Sequence, residues 1–170
     1  MARPTGGTYH PIYQQPYIDA AQGETIGELI ASYSQRLIAF INAIPEAKAN
    51  YSYAESKWTV KQVLQHIIDT ERIFTYRALC ISRGETTNLP GFDENSYAAN
   101  APAQHRTLAS LKEEFALVRK STDMLFASFT EKQLQRVGTT NNYMVSVNAL
   151  CFIVFGHNLH HEKVLRERYL

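Results

Sequence analysis

Two histidines near the end of the chain are spaced so that both could bind one metal ion. His157 and His161 are four residues apart, so on a helix they lie one turn apart and point the same way. Leu150, Ile153 and Val154 fall on the same side of that helix. The two imidazole rings are therefore predicted to be buried, which costs roughly 1–3 kcal/mol for a polar group without a partner. A shared metal ion would supply a partner for both rings.

A second predicted helix carries two further candidates for this site. His66 lies on the flank of the helix's apolar stripe, from which its ring could reach toward His157 and His161. Three neutral histidines leave a coordination position open for water or substrate, as in catalytic zinc sites. Glu71 lies near the centre of the stripe and could act as a base, orient a ligand histidine or replace one. The alternative for Glu71 is a structural ion pair, for example with Arg168.

Three other polar residues have less defined roles in the sequence. His160 lies about 60° around the last helix from His157, which predicts a position beside the metal ligands or at an interface. Asp93 and Glu94 lie in a long predicted loop, and the sequence leaves open whether either one reaches the site. His160, Asp93 and Glu94 are therefore candidates for contact with a bound ligand.

The composition excludes several classes of protein. The formal net charge is +1 and the basic residues are scattered, so no patch for nucleic acid or a membrane surface is predicted. No apolar run is long enough to span a bilayer, and the first residues lack the pattern of a secretion signal. The two cysteines lie in predicted helices, where buried thiols are usual. A single cytoplasmic domain over residues 1–170 is predicted.

Helical periodicity organises most of the chain. Capping residues and apolar spacing predict four long amphipathic helices, which favour an all-α four-helix bundle. They span residues 25–45, 59–84, 107–129 and 146–170. Three prolines and three tyrosines in residues 1–22 predict an extended N-terminal arm lying against the domain. The long loop at 84–106 is either a plain crossover or a lid over a binding site.

Two segments of the sequence resemble the signatures of the DinB/YfiT-like family. The first is Trp58-Thr59-Val60-Lys61-Gln62-Val63-Leu64-Gln65-His66-Ile67-Ile68-Asp69-Thr70-Glu71, and the second is Gly156-His157-Asn158-Leu159-His160-His161. The resemblance extends from the first helix to the C-terminus. It implies a four-helix bundle that holds one divalent metal, usually zinc or nickel, on His66, His157 and His161. It also implies a homodimer.

The resemblance leaves the reaction open. Many members continue the second signature with Arg-Gly-Gln, whereas this chain has Glu162-Lys163-Val164. Known branches include transferases that use a low-molecular-weight thiol as cofactor and a thiol-dependent isomerase. The first hypothesis is therefore an enzyme with a small-molecule substrate, either a thiol transferase or a hydrolase, in which the metal activates thiol or water. The alternative is a non-catalytic, stress-related or metal-binding bundle, and an open coordination position facing a pocket would discriminate between the two.

Overall fold

Four long helices form the frame of the structure, a computed structural model that describes residues 1–170. The first is one rod made of α2, a π-helical turn and α3, and it is followed by α4, α6 and α8. Their bounds are Ile26–Leu29 for α2, Ile30–Ser34 for the π turn, Gln35–Ala43 for α3, Val60–Arg83 for α4, Leu108–Ala127 for α6 and Val147–Arg168 for α8. The four-helix bundle predicted from the sequence is confirmed. None of these helices is both long and apolar enough to cross a membrane.

Local capping explains where the long helices begin and end. The side chains of Thr25, Thr59, Thr107 and Ser146 each accept a hydrogen bond from a backbone N–H in the first turn of the helix that follows. Such caps satisfy donors that have no partner inside the helix. Gly84 ends α4 in the left-handed conformation, with φ of 99°. The helix starts predicted from these residues are confirmed.

The last helix, α8, is the centre of the packing. It packs against the N-terminal helix α1 (Pro11–Ala20) and against α4, and α4 packs in turn against α6. Every residue from Val147 to Asn158 is buried, so this half of α8 is enclosed on all sides. A helix in such a position is apolar around most of its circumference. Polar residues in this half, His157 among them, are therefore held in a largely dry environment.

The N-terminal segment differs from the prediction of an extended arm. Residues 11–20 form helix α1 (Pro11–Ala20), with Pro11 in its first turn and Pro16 in its interior. An interior proline removes one hydrogen bond and is unfavourable in an isolated helix. Here α1 is stabilised by burial of Ile18 against the core and by Arg3, whose guanidinium donates to the carbonyl oxygen of Ala21 at 2.7 Å. Tertiary packing therefore overrides the local preference of the prolines.

A β-hairpin was also missed by the prediction of a purely helical chain. Strand β1 (Val137–Thr140) pairs antiparallel with β2 (Tyr143–Ser146) around a two-residue turn. Both turn residues, Asn141 and Asn142, have positive φ, as a type I′ turn requires. The hairpin is short, which is why helical periodicity on either side of it dominated the sequence pattern.

The long loop at 84–106 contains some regular structure of its own. It includes the short helix α5 (Glu94–Asn100) and a 3-10 turn at Ala103–His105, and a further short helix, α7 (Glu131–Leu134), precedes the hairpin. Leu89 is held to the hairpin by two backbone hydrogen bonds of 2.9 Å. The loop is thereby fixed over one end of the bundle rather than extending freely between α4 and α6.

Candidate metal centre

Helices α4 and α8 bring three histidine rings to one point. The Nε2 atom of His157 lies 3.1 Å from Nε2 of His66 and 3.1 Å from Nε2 of His161. The three ligand atoms all lie within 4.8 Å of one another. A zinc ion bound to nitrogen at about 2.0–2.1 Å would place tetrahedral ligand atoms about 3.3 Å apart. The structure brings these three side chains together, and their spacing suits a shared ion.

Hydrogen bonding alone does not satisfy this arrangement. A neutral imidazole nitrogen carries either one proton or one lone pair. The Nε2 atom of His157 has two ring nitrogens at 3.1 Å, so it can form a well-aligned hydrogen bond with one of them and leaves the other unpaired. A cation at the centre would accept a lone pair from each of the three rings. The donor set therefore fits a divalent ion better than it fits a hydrogen-bonded core.

Burial keeps these rings in the neutral form that binds metals. Desolvation lowers the pKa of His66 to about 4, with the charge of Glu94 acting in the opposite direction. Desolvation, followed by the positive charges of neighbouring histidines, lowers the pKa of His161 to about 3 and that of His157 well below its usual value. At neutral pH all three nitrogens that converge can therefore act as ligands without first losing a proton.

The surroundings of the rings hold them in place. Thr70 lies one turn after His66, with its hydroxyl oxygen 3.5 Å from Nδ1 of that ring. The Trp58 ring packs against His66 with 4.8 Å between centroids, and the Tyr17 ring packs against His157 at 5.6 Å. These contacts restrict the orientation of two of the three ligand rings.

The three histidines form part of the wall of a cavity of about 600 Å³. Its other walls come from α1, the long loop and the hairpin, as well as from α4 and α8. The residues that line it are Tyr13, Gln14, Tyr17, Trp58, His66, Thr70, Phe74, Arg77, Gly91, Phe92, Glu94, Thr140, Asn141, Tyr143, Leu150, Ile153, His157, His160 and His161. The long loop therefore contributes directly to the site. This position agrees with the interpretation of the loop as part of a binding site.

The two acidic residues of the loop have different positions. The carboxylate of Glu94 lines the cavity, whereas Asp93 caps α5 by accepting a hydrogen bond from the backbone N–H of Ser96 at 2.6 Å. Burial, followed by the charge of Glu94, raises the pKa of Tyr17. His160 is exposed and lines the cavity 5.8 Å from the Tyr17 ring, measured between centroids. Of these candidates, Glu94 and His160 face the site.

Glu71 does not reach the site. It is 2% exposed, it does not line the cavity, and its two oxygens are directed at other partners. One oxygen accepts a hydrogen bond from the Asn158 side-chain amide at 2.8 Å, and the other lies 3.2 Å from a guanidinium nitrogen of Arg119. The structure favours the alternative in which Glu71 forms a structural ion pair. The example partner given for it from the sequence, Arg168, was wrong. Arg168 is exposed and donates instead to the Tyr53 hydroxyl.

Comparison with known proteins agrees with this architecture. A sequence model described as the DinB superfamily matches residues 29–165, which is most of the chain. The chain belongs to the DinB superfamily. The match includes both segments that supply the three histidines, so this member of the superfamily retains the elements that build its site.

Two solved structures show the same fold at low sequence identity. YfiT from Bacillus subtilis, described as a probable metal-dependent hydrolase with an unusual four-helix bundle topology, has a TM-score of 0.72 at 16% identity. That likeness covers 96% of this chain and 89% of YfiT. The mycothiol-dependent maleylpyruvate isomerase has a TM-score of 0.65 at 12% identity, with 85% of this chain and 60% of the isomerase covered. At these identities the likeness shows the fold alone.

A curated relative matches a shorter part of the chain. A protein of Oceanobacillus iheyensis named "Putative metal-dependent hydrolase" is 26% identical over 69 residues. The match covers 41% of this chain and 40% of the relative's length. This relative and YfiT are thus both described by name as putative or probable metal-dependent hydrolases.

Several residues of this DinB-superfamily site were missed by sequence reasoning. Tyr17 lies in the segment predicted to be an extended arm, Tyr143 lies between two predicted helices, and Arg77 lies within the predicted helix at 59–84. The signal that could have found Tyr143 is the Asn141-Asn142 pair, since two residues that tolerate positive φ between apolar segments are typical of a hairpin. No local pattern places Tyr17 or Arg77 beside the histidines.

Proposed function

We propose that this protein is a metal-dependent enzyme in which His66, His157 and His161 bind one divalent ion. The observation that carries the proposal is the convergence of three Nε2 atoms on the wall of an open cavity. A bound divalent ion would lower the pKa of a coordinated thiol or water and so supply a nucleophile at neutral pH. The cavity gives a small-molecule electrophile a route to that nucleophile.

The protein's own side chains would support this reaction in two ways. The low pKa values of the three histidines keep them neutral, so metal binding does not compete with protons at pH 7. The aromatic rings of Trp58 and Tyr17 pack against the rings of His66 and His157, and His157 is buried. Charges in such a partly dry site interact more strongly than they do in water.

Access to the centre favours an enzyme over a purely structural metal site. Structural zinc sites are closed by four protein ligands, whereas catalytic sites use three and keep one position free. Here no fourth histidine, cysteine, aspartate or glutamate joins the cluster, and the cavity of about 600 Å³ lies directly against it. This arrangement supports catalysis with an external ligand, either a low-molecular-weight thiol or water.

Metal content is the first test of the proposal. Protein purified without a metal-binding tag is expected to contain about one divalent ion per chain, with zinc or nickel as the expected metals. His157→Ala should lose the ion, and His105→Ala, which changes an exposed histidine outside the cluster and the cavity wall, should keep it. Full metal occupancy in His157→Ala would contradict the proposed site.

The reaction is tested by supplying the two nucleophiles separately. Wild-type protein reconstituted with zinc or nickel is mixed with an activated electrophile, with and without a low-molecular-weight thiol. Thiol-dependent product supports a transferase, and product formed at the same rate without thiol supports a hydrolase. His66→Ala should abolish either activity while its circular dichroism spectrum stays helical. Absence of both activities in fully metal-loaded protein would instead support the non-catalytic alternative.

A further inference from the structure

Arg77 is a buried cation that has no acidic partner in the protein. Only 6% of the residue is exposed, and none of the ion pairs of the chain includes it. Its one hydrogen bond is donated to the backbone carbonyl oxygen of Pro90 at 2.7 Å. A guanidinium has five N–H donors, so most of its donor capacity is not used by the protein. Removing a charge from water without an opposite charge is costly.

Arg119 provides a direct comparison within the same structure. It is also buried, at 0% exposure, but it has two acidic partners. Its guanidinium nitrogens lie 3.2 Å from Glu71 and 3.1 Å from Asp123. Arg119 does not line the cavity, whereas Arg77 does. The buried arginine outside the cavity is therefore neutralised by the protein, and the one inside it is left for a ligand to neutralise.

Arg77 lies within reach of a molecule that also contacts the histidines. It follows His66 on α4 by about three helical turns and so lies on nearly the same face of the helix. The Phe74 ring is a neighbour of both groups, with its centroid 6.1 Å from the His157 ring and 5.4 Å from Cζ of Arg77. One aromatic side chain therefore contacts both the guanidinium and the three-histidine centre.

Part of the cavity wall is apolar. Phe74, Leu150 and Ile153 line the cavity, and the Phe92 ring lies 5.9 Å from Cζ of Arg77. Apolar walls around a guanidinium strengthen its pairing with an anion, because the pair is shielded from water. A planar guanidinium also suits a carboxylate, which it can bind through two parallel hydrogen bonds.

We propose that Arg77 binds the carboxylate of a short ligand whose other end lies at the three-histidine centre. This proposal rests on the proposed function, which supplies the group that binds at the three-histidine centre. It adds the chemical class of the ligand. The ligand is a small carboxylic acid with an apolar middle section. The carboxylate belongs either to the thiol donor or to the molecule that the nucleophile attacks.

Calorimetric binding to the zinc-loaded protein tests the role of Arg77. Glutarate is compared with its monoamide, which has the same length and keeps one carboxylate for the zinc ion. Wild-type protein is expected to bind glutarate at least about tenfold more tightly than the monoamide, since charge-assisted hydrogen bonds have that effect on affinity. Arg77→Gln should lose the preference, and Arg77→Lys should keep part of it. Arg83→Gln, which changes an exposed arginine at the end of α4, should bind as the wild type does.

Two further measurements separate this proposal from the metal site. In metal-free protein, butyrate should still bind more tightly than butyramide to the wild type and not to Arg77→Gln, so the test does not depend on a bound ion. In the thiol reaction, KM should rise in Arg77→Gln for whichever reactant carries the carboxylate, the thiol or the electrophile. If Arg77→Gln retains metal and binds both carboxylates as tightly as the wild type, the role assigned to Arg77 is wrong and the metal site is unaffected.

Discussion

The carbonyl oxygen of Tyr17 lies where a side chain on residue 156 would begin. A Cβ atom added to Gly156 would be 1.8 Å from that oxygen. Helix α1 therefore crosses α8 in direct backbone contact, one residue before the candidate metal ligand His157. The Tyr17 ring also packs edge-on against the His157 ring, so the position of the N-terminal helix and the geometry of the candidate site are coupled.

The first prediction follows from this contact. Gly156→Ala should lower the free energy of unfolding by about 1–3 kcal/mol or more, because backbone atoms must move to admit the methyl group. It should also weaken metal binding, since α1 can no longer pack over His157. Gly27→Ala is the matched control, because its Cβ would meet only one atom, at 4.0 Å. Urea unfolding and metal titration of the three proteins provide the measurement, and equal stability of Gly156→Ala and wild type would contradict the contact.

The second prediction separates the two adjacent histidines. His161→Ala should lose most of the bound metal, because its Nε2 belongs to the convergent set. His160→Ala should retain the metal, because the His160 ring lies at the exposed edge of the cavity and outside that set. Metal analysis by mass spectrometry after dialysis distinguishes the two variants. Equal losses in both would mean that the ligand set has been assigned incorrectly.

The third prediction concerns the buried pair of Glu71 and Arg119. Arg119→Met should destabilise the protein by roughly 3–5 kcal/mol, because it leaves the buried Glu71 carboxylate without a cation. Combining it with Glu71→Gln should recover part of that loss, since the uncompensated charge is removed. Glu71→Gln alone should leave the metal content unchanged. A Glu71→Gln variant that loses the metal would show that this carboxylate supports the ligands more directly than its contacts indicate.

The fourth prediction is a pH dependence of stability in the metal-free protein. His66 has a pKa of about 4 and His161 a pKa of about 3 in the folded state, both below the value of about 6.5 in an unfolded chain. Between pH 6.5 and 4 the unfolded state therefore binds more protons than the folded state, and the free energy of unfolding falls as the pH is lowered. Urea midpoints at pH 7, 6 and 5 should show this trend.

A histidine variant provides the control for that trend. His66→Gln keeps a polar side chain that does not titrate, so its urea midpoint should fall less steeply than that of the wild type over the same pH range. Parallel curves for the two proteins would mean that His66 is not held neutral by the fold.

Most of the fold could be predicted from the sequence because its causes are local. The caps at Thr25, Thr59, Thr107 and Ser146 act within one helical turn, and apolar spacing of 3.6 residues is visible without any tertiary contact. The prediction of an extended arm at residues 1–22 was wrong for the complementary reason. The prolines there disfavour a helix locally, and tertiary contacts with α8 and Arg3 stabilise α1.

Sequence by itself determined that His157 and His161 point the same way on a buried helix, because their separation of four residues fixes their relative direction. Only the tertiary structure decided that His66 meets them and that Glu71 pairs with Arg119 instead of Arg168. It also decided that the hairpin and α1 form walls of the cavity. Those relationships join segments that are far apart along the chain. They depend on how helix surfaces pack together, and no local hydrogen bond or side-chain spacing specifies that packing.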